Sequence, residues 1–182
     1  MTINNDVHLY ANRQIGTQVG NGECFTLADT ALRQAGAKSA TDYGRITGNA
    51  NYRWGNPVTL RTIIPGDIIQ FRNYLMTVTT VTVTRVETGG GGFSEQTNTQ
   101  TQTQSRPHHT AIVNNVGTNG EVSVLEQNVG TGPNRRRTQC NTLYFQSFTA
   151  PARVSRHGNT TVTVSRRVRV SGRIWFYRPQ SR

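Results

Sequence analysis

The sequence has few of the residues that stabilise small secreted domains or bind metal ions. Only two of its 182 residues are cysteines. Cys24 and Cys140 lack the closely spaced pairing of zinc ligands, and two cysteines make no disulfide framework. We therefore expect a fold held by an ordinary packed core, with no cofactor and no bound metal.

Long apolar runs are also missing. No stretch approaches the roughly 18 apolar residues that span a bilayer, so we expect no membrane insertion. The first residues, MTINNDVHLYANRQIG, lack the basic and apolar regions of a secretory signal. The expectation is synthesis in the cytoplasm, followed by action outside the cell or in a target cell after lysis or non-classical secretion.

Acidic residues are absent from the last third of the chain. Residues 1–126 hold nine basic and nine acidic side chains, whereas residues 127–182 hold eleven arginines and no acid. A basic region of this kind attracts polyanions, and the guanidinium group suits phosphate and carboxylate. A nucleic-acid partner is the weaker candidate, because no stacking aromatics alternate with these arginines and no nucleic-acid-binding motif is present.

The apolar pattern predicts two helices followed by strands. Helical spacing runs from Asn5 to Ile15 and, more strongly, from Gly22 to Ala35. Strand-like segments with β-branched residues follow, which favours an α+β fold with the helices on a mainly antiparallel sheet. We expect one domain, residues 1–182, with a flexible hairpin tip or loop at about 88–107 and an Arg-rich C-terminal extension of the sheet. No oligomerisation pattern is present, so a monomer is expected.

The segment GNGECFTLADTALRQAGA, residues 20–37, places Cys24 at the head of the second predicted helix. The start of a helix favours a thiolate through its free N–H groups and its dipole. The glycines before Cys24, including Gly22, would let a substrate carbonyl approach the backbone closely. The alternative is that Cys24 is an inert buried residue, as free cysteines often are.

A cysteine nucleophile needs a base and a group that orients the base. His108 and His109 begin the predicted strand HHTAIV, and only one of two consecutive residues can face the helix. In the adjoining strand VLEQN, Glu126 and Asn128 have the same parity, and either could orient the imidazole. The residues alone do not decide between His108 and His109 as the base, or between Glu126 and Asn128 as the group that orients it.

The blocks GNGECFTLADTALRQAGA, IIPGDIIQF, HHTAIV and VLEQN resemble the signature blocks of CHAP domains. These belong to the NlpC-type papain-like cysteine amidases and endopeptidases. The resemblance implies a papain-like fold with Cys24 as nucleophile, His109 as base because TAIV follows it, and Glu126 or Asn128 as its orienting residue. His108 stands where the family has glycine, so the assignment of the base to position 109 rests on the following residues.

The resemblance also implies a function. Members of this family hydrolyse amide bonds of bacterial peptidoglycan, so the expected partners are peptidoglycan and anionic wall polymer. An immunity protein or a secretion machinery would be a further partner of a toxin or endolysin. Two alternatives stay open: a papain-like deamidase or transglutaminase that acts on a protein, and a basic noncatalytic module that binds nucleic acid or another polyanion.

Aromatic residues between the second helix and the first strand are candidates for substrate contacts. Tyr52 and Trp54 would line a groove near the nucleophile, and the bulky His108 would narrow it. The alternative for such aromatics is ordinary packing in the core. Together with Gly22 they complete the predicted substrate-binding set.

Overall fold

The structure is a computed structural model that describes residues 2–118 and 120–182. The chain divides into two compact units. The first consists of Met1–Tyr74, Arg106–Phe145 and Gly172–Arg182, and the second of Leu75–Ser105 and Gln146–Ser171. Both helices and every predicted site residue belong to the first unit.

The two predicted helices are present with slightly different ends. Helix α1 spans Ile3–Arg13 and begins earlier than predicted, because the Thr2 hydroxyl accepts a hydrogen bond from the backbone N–H of Asn5 and caps the helix. Helix α2 spans Cys24–Gln34 and buries Leu27, Ala28, Ala31 and Leu32 along one side, as its apolar spacing predicts.

The strands form one seven-stranded sheet in the order β1-β7-β2-β3-β4-β5, with β6 paired to β7. The pairs β1–β7, β3–β4, β4–β5 and β6–β7 are antiparallel. The strands span Asn56–Val58 (β1), Ile68–Thr88 (β2), Gly92–Val116 (β3), Glu121–Glu126 (β4), Gln139–Tyr144 (β5), Phe148–His157 (β6) and Thr160–Arg178 (β7). Over the described residues there are two α-helices against seven strands, so the fold is mainly β and fits the predicted α+β class loosely.

The segment expected to be a flexible hairpin tip or loop at about 88–107 contains a turn between the neighbouring strands β2 and β3, followed by strand. Only the short turn Gly89–Gly91 is non-strand, and the polar residues that follow are part of β3. Composition was misleading here because a strand can pair its backbone groups with a neighbouring strand without burying either face. Alternating threonine and glutamine are compatible with such a ladder, since threonine favours strands.

The Arg-rich segment also consists of strands. Strands β6 and β7 pair between Phe148 and Val168 and between His157 and Thr160, with a register shift between Ala150 and Arg153. The three closely spaced arginines of β7 are exposed on either side of the buried Val168. They are Arg166, Arg167 and Arg169.

The core of the first unit lies between the helices and the strands that carry the site. Helix residues such as Val7 and Leu27 pack with Ile68, Ile112 and Leu125 from three strands. Burial of this kind is the main favourable term in folding. It fixes the start of α2 against the strands β3 and β4, where the predicted catalytic residues lie.

The Pro-Gly-Asp turn before β2 is held by backbone and side-chain contacts. Gly66 has a φ of +88°, and a Cβ there would lie 2.0 Å from the carbonyl oxygen of Asn4. Asp67 is fully buried and accepts hydrogen bonds from the side chains of Asn4 and Arg178 and from the backbone N–H of Ile64. The turn therefore joins α1 to the sheet.

Candidate active site

Cys24 is the first residue of α2, and its sulfur is surrounded by hydrogen-bond donors. The sulfur interacts with the side chain of His109 and with the backbone N–H groups of Thr110 and Phe25. The preceding turn needs glycine, because Gly22 has a φ of +82° and a Cβ there would lie 2.7 Å from Cβ of Arg136. Cys24 is partly exposed and therefore accessible to a substrate.

His109 is the histidine that contacts the thiol. Its side chain is 5% exposed, and its Nε2–H donates to Oε2 of Glu126 at 2.9 Å. Because Nε2 is used by Glu126, Nδ1 is the ring nitrogen left for Cys24. His108 instead donates through Nε2 to the carbonyl oxygen of Ala50 at 2.8 Å. The structure therefore separates the two candidates, with position 109 beside the sulfur.

The two candidate orienting residues are also separated. Glu126, the last residue of β4, bonds His109. Asn128 donates through Nδ2 to Oε2 of Glu23 at 2.6 Å, at the N-cap of α2. The shared-face prediction for Asn128 is wrong because β4 has ended, and Asn128 has a φ of +64°. The side chain of Asn128 binds Glu23 at the start of α2, and of the two candidates it is Glu126 that binds the imidazole.

Glu126 is fully buried and has four hydrogen bonds from side chains. Arg106 donates through Nε to Oε2 at 2.8 Å and through Nη2 to Oε1. Asn141 donates through Nδ2 to Oε1 at 2.9 Å, and His109 supplies the fourth bond. Both carboxylate oxygens are thus satisfied by donors from three side chains, which fixes the carboxylate plane.

The electrostatics favour a thiolate–imidazolium pair. Burial raises the pKa of the Cys24 thiol, but the hydrogen bond and charge of His109, with the two N–H groups, outweigh it and lower the pKa. Burial lowers the pKa of His109, whereas its bonds to Cys24 and Glu126 raise it to about 9. Burial raises the pKa of Glu126, but Arg106 and His109 reverse this and lower it to about 2.

The predicted substrate contacts divide into accessible and inaccessible positions. Trp54 is fully buried, donates through Nε1 to Gln70 at 3.0 Å and packs against Phe25. It therefore cannot line a groove, and the packing alternative holds for this residue. Tyr52 and His108 are partly exposed and lie 5.1 Å apart between ring centroids. Gly22 is buried in the turn before Cys24, against the side chain of Arg136.

Three further residues of the site escaped sequence reasoning. Arg106 and Asn141 bind Glu126, and Gln127 joins the turn before α2 to the end of β4. Gln127 accepts from the backbone N–H of Val19 at 2.8 Å and donates to the carbonyl oxygen of Glu23 at 3.0 Å. In the block VLEQN, Glu126 therefore binds His109, whereas Gln127 and Asn128 bind the turn that precedes Cys24.

Over residues 2–118 and 120–182, no helix has the length and apolar character to cross a bilayer. Within that same part of the chain, no group of three or more histidine, cysteine, aspartate or glutamate residues is arranged to hold a metal ion.

Comparison with known proteins places this site in a family. A family model described as the AIM3/BBC1 cysteine proteinase-fold domain matches residues 2–148. No curated protein and no solved structure matches the chain. The match contains the thiol, the imidazole and the carboxylate, whereas nearly all of β6 and all of β7 lie beyond it. The match supports the papain-like fold expected from the sequence, and the chain belongs to the AIM3/BBC1 cysteine proteinase-fold domain family.

Proposed function

We propose that the protein is a thiol hydrolase that cleaves amide bonds, with Cys24 as nucleophile, His109 as general acid and base, and Glu126 as the residue that orients the imidazole. The observation that carries the proposal is the contact of the Cys24 sulfur with an imidazole whose far nitrogen is 2.9 Å from a buried carboxylate. A nucleophile, a base and a group that orients the base are the minimum for this chemistry.

The reaction follows from the protonation states. The Cys24 thiolate attacks the carbonyl carbon, and the C–N bond breaks as the His109 imidazolium gives its proton to the leaving amine. This leaves a thioester on the sulfur. A water molecule then gives a proton to the neutral His109 and attacks the thioester carbonyl, which releases the carboxylic acid and restores the thiolate.

The start of α2 supplies a candidate oxyanion site. As the first residue of the helix, Cys24 has no acceptor for its backbone N–H inside the helix. That N–H lies next to the sulfur, where the carbonyl oxygen becomes negative during attack. The N–H of Phe25 donates to the sulfur itself and so stabilises the thiolate before the reaction.

The proposed substrate is bacterial peptidoglycan, at the glycan–peptide amide or a bond of the stem peptide or cross-bridge. Its support is the resemblance of four sequence blocks to CHAP domains and the arginine excess of residues 127–182, which suits an anionic wall polymer. The description of the matched family names a fold and no substrate. Action outside the producing cell belongs to the same proposal.

The proposal is tested by release of amines from purified peptidoglycan and from a protein digest of mixed sequence. The wild type and Cys140→Ser are expected to release new amines from the wall, whereas Cys24→Ser and His109→Ala do not. Cys140 is the matched control because it is the other free cysteine of the chain. Equal release by Cys24→Ser would refute the proposed chemistry. Release from the digest alone would refute the wall substrate, and release of ammonia without new amines would identify a deamidase.

A further inference from the structure

The side chain of Arg106 is 6% exposed and the Glu126 side chain that it contacts is fully buried. The guanidinium group makes two bonds to the carboxylate, one to each oxygen. Removing two charges from water costs free energy, which their mutual attraction offsets only when the geometry is good. A buried ion pair is therefore weak evidence for a stabilising role, and another role is considered for this pair. Glu126 also binds His109, through the same oxygen Oε2 that accepts from Nε of Arg106.

Arg106 and His109 lie on the same strand and bind the same carboxylate. They are three positions apart on β3. Both side chains reach Glu126 on the neighbouring strand β4. Strand β3 therefore places the guanidinium beside the carboxylate that binds the imidazole.

The protonation state of Glu126 determines the tautomer of His109. An ionised carboxylate only accepts hydrogen bonds, so it requires Nε2 of His109 to carry hydrogen and leaves Nδ1 as the basic nitrogen that faces the thiol. A protonated carboxyl would donate to Nε2 instead. The hydrogen of a neutral imidazole would then be on Nδ1, which could no longer take the proton of Cys24.

A buried carboxylate stays ionised only with a compensating charge. Arg106 is a cation at every relevant pH. With it, the buried groups alternate in sign from thiolate through imidazolium and carboxylate to guanidinium, and their sum is zero. Without it the sum is −1, which favours uptake of a proton by Glu126 or by the thiolate.

We propose that Arg106 is a positioning residue of the active site, which acts through Glu126 to keep the basic nitrogen of His109 facing Cys24. This inference rests on the proposed function. It assigns to Arg106 the selection of the working tautomer, in addition to any contribution to folding.

The test is the pH dependence of Cys24 alkylation by iodoacetamide, measured on folded protein by mass spectrometry of the Cys24 peptide. In a plot of the alkylation rate of Cys24 against pH, the acid limb is the range in which the rate rises with pH. In Arg106→Met this limb is expected to move to higher pH by at least about one unit, which is a tenfold loss of reactivity at a fixed pH on that limb. Arg106→Lys keeps the charge without the two-pronged contact, so its limb lies between those of the wild type and Arg106→Met.

Two further variants make the result specific. In Arg106→Met/Glu126→Gln the buried carboxylate is gone, so the limb is expected to return toward the wild-type position although the same arginine is missing. Arg33→Met removes an arginine that binds Asp29 on the exposed side of α2, and it should leave the limb unchanged. If Arg106→Met does not fold, the lysine variant and the double variant carry the same comparison.

The outcomes separate this inference from the proposed function. A wild-type limb at the position of the unfolded chain would refute the reactive thiolate itself. A wild-type limb at low pH, with Arg106→Met and Arg106→Lys at the same pH and only less stable, would refute the role of Arg106 and leave the proposed function standing. A shift in Arg106→Met that the double variant fails to reverse would also contradict the mechanism through Glu126.

Discussion

At residue 109 a single imidazole is held from both sides. The sulfur of Cys24 lies against one part of the ring, and Glu126 binds Nε2 from the other. Burial alone would favour a neutral ring and a neutral thiol, and these two contacts outweigh that effect. The proposed chemistry therefore depends on an ion pair between Cys24 and His109 in a largely buried site, where electrostatic interactions are stronger than in water.

The first residue-scale prediction concerns the pH dependence of activity. The ion pair exists above the lowered pKa of Cys24 and is lost as pH rises through the pKa of His109, about 9. A plot of kcat/KM against pH should therefore show an acid limb below the ordinary thiol pKa of about 8.5 and an alkaline limb near 9. A profile that only rises through pH 8.5 would show that the thiol titrates as an isolated group.

The second residue-scale prediction distinguishes Glu126 from Asn128. Glu126→Gln removes the charge that stabilises the imidazolium, so kcat should fall by about 100-fold or more. Asn128→Ala removes a bond to Glu23 and should lower thermal stability with a much smaller change in kcat. Steady-state kinetics and melting curves of the two variants provide the test. The assignment is wrong if Asn128→Ala loses more activity than Glu126→Gln.

At the scale of elements, the site is assembled from the start of one helix and the facing parts of two strands. Helix α2 supplies the sulfur, β3 supplies His109 and Arg106, and the end of β4 supplies Glu126. Gln127 holds the turn before the helix to the end of β4 through Val19 and Glu23. These contacts of Gln127 fix the distance between Cys24 and His109. Mutation of Cys24 or His109 alone would not reveal this role of Gln127.

The Pro-Gly-Asp turn gives an element-scale prediction. Gly66→Ala places a methyl group 2.0 Å from the carbonyl oxygen of Asn4 at a φ of +88°. The free energy of unfolding should fall by about 2–4 kcal/mol, because backbone must move to admit the group. Gly48→Ala is the matched control, since nothing lies within 4 Å of a Cβ there. Urea denaturation of both variants measures the difference, and equal midpoints would contradict the close approach.

The elements that sequence reasoning predicts are those with a local signal. The apolar spacing of α2 is contained in eleven consecutive residues, and its buried side follows from that spacing. The strand nature of residues 92–107 has no such signal, because it depends on pairing with β2. From the polar composition alone, a hairpin tip or loop was expected over the whole segment, and in the structure only Gly89–Gly91 form a turn.

The same distinction applies within the site. Cys24 could be predicted because its block and the order of the blocks suggest the chemistry, and His109 and Glu126 could be predicted only as one of two candidates each. Arg106 was not, because its partner is twenty residues away and an arginine before a proline looks like part of a polar loop. Asn128 was misplaced because its parity carries no meaning once β4 ends at Glu126.

At the scale of the whole molecule, positive charge is distributed unevenly along the chain. The net charge is +11, all of it contributed by residues 127–182. The exposed Arg166, Arg167 and Arg169 of β7 belong to the second unit, whereas Cys24, His109 and Glu126 belong to the first. We expect binding of a polyanion by these three arginines and cleavage at Cys24 to respond to different substitutions.

That separation gives a whole-molecule prediction. Exchange of Arg166, Arg167 and Arg169 for glutamine should weaken binding to an anionic wall polymer and reduce its salt dependence, because fewer charges contribute. Hydrolysis of a short uncharged amide substrate should stay unchanged. The matched control exchanges the exposed Arg13, Arg33 and Arg61. Sedimentation with purified wall at rising salt measures the effect, and equal loss in both triple variants would contradict a role for β7.

The central claim is that Cys24 is a thiolate stabilised by His109, and its alkylation by iodoacetamide across a pH series tests this most directly, with Cys24 and Cys140 followed as separate peptides. The account predicts that Cys24 of the folded protein reacts well below pH 8.5, the ordinary range of a free thiol, and that His109→Ala moves this reactivity upward to the range of the urea-unfolded chain. Cys24 reactivity that coincides in the folded protein, the His109→Ala variant and the unfolded chain would contradict the account.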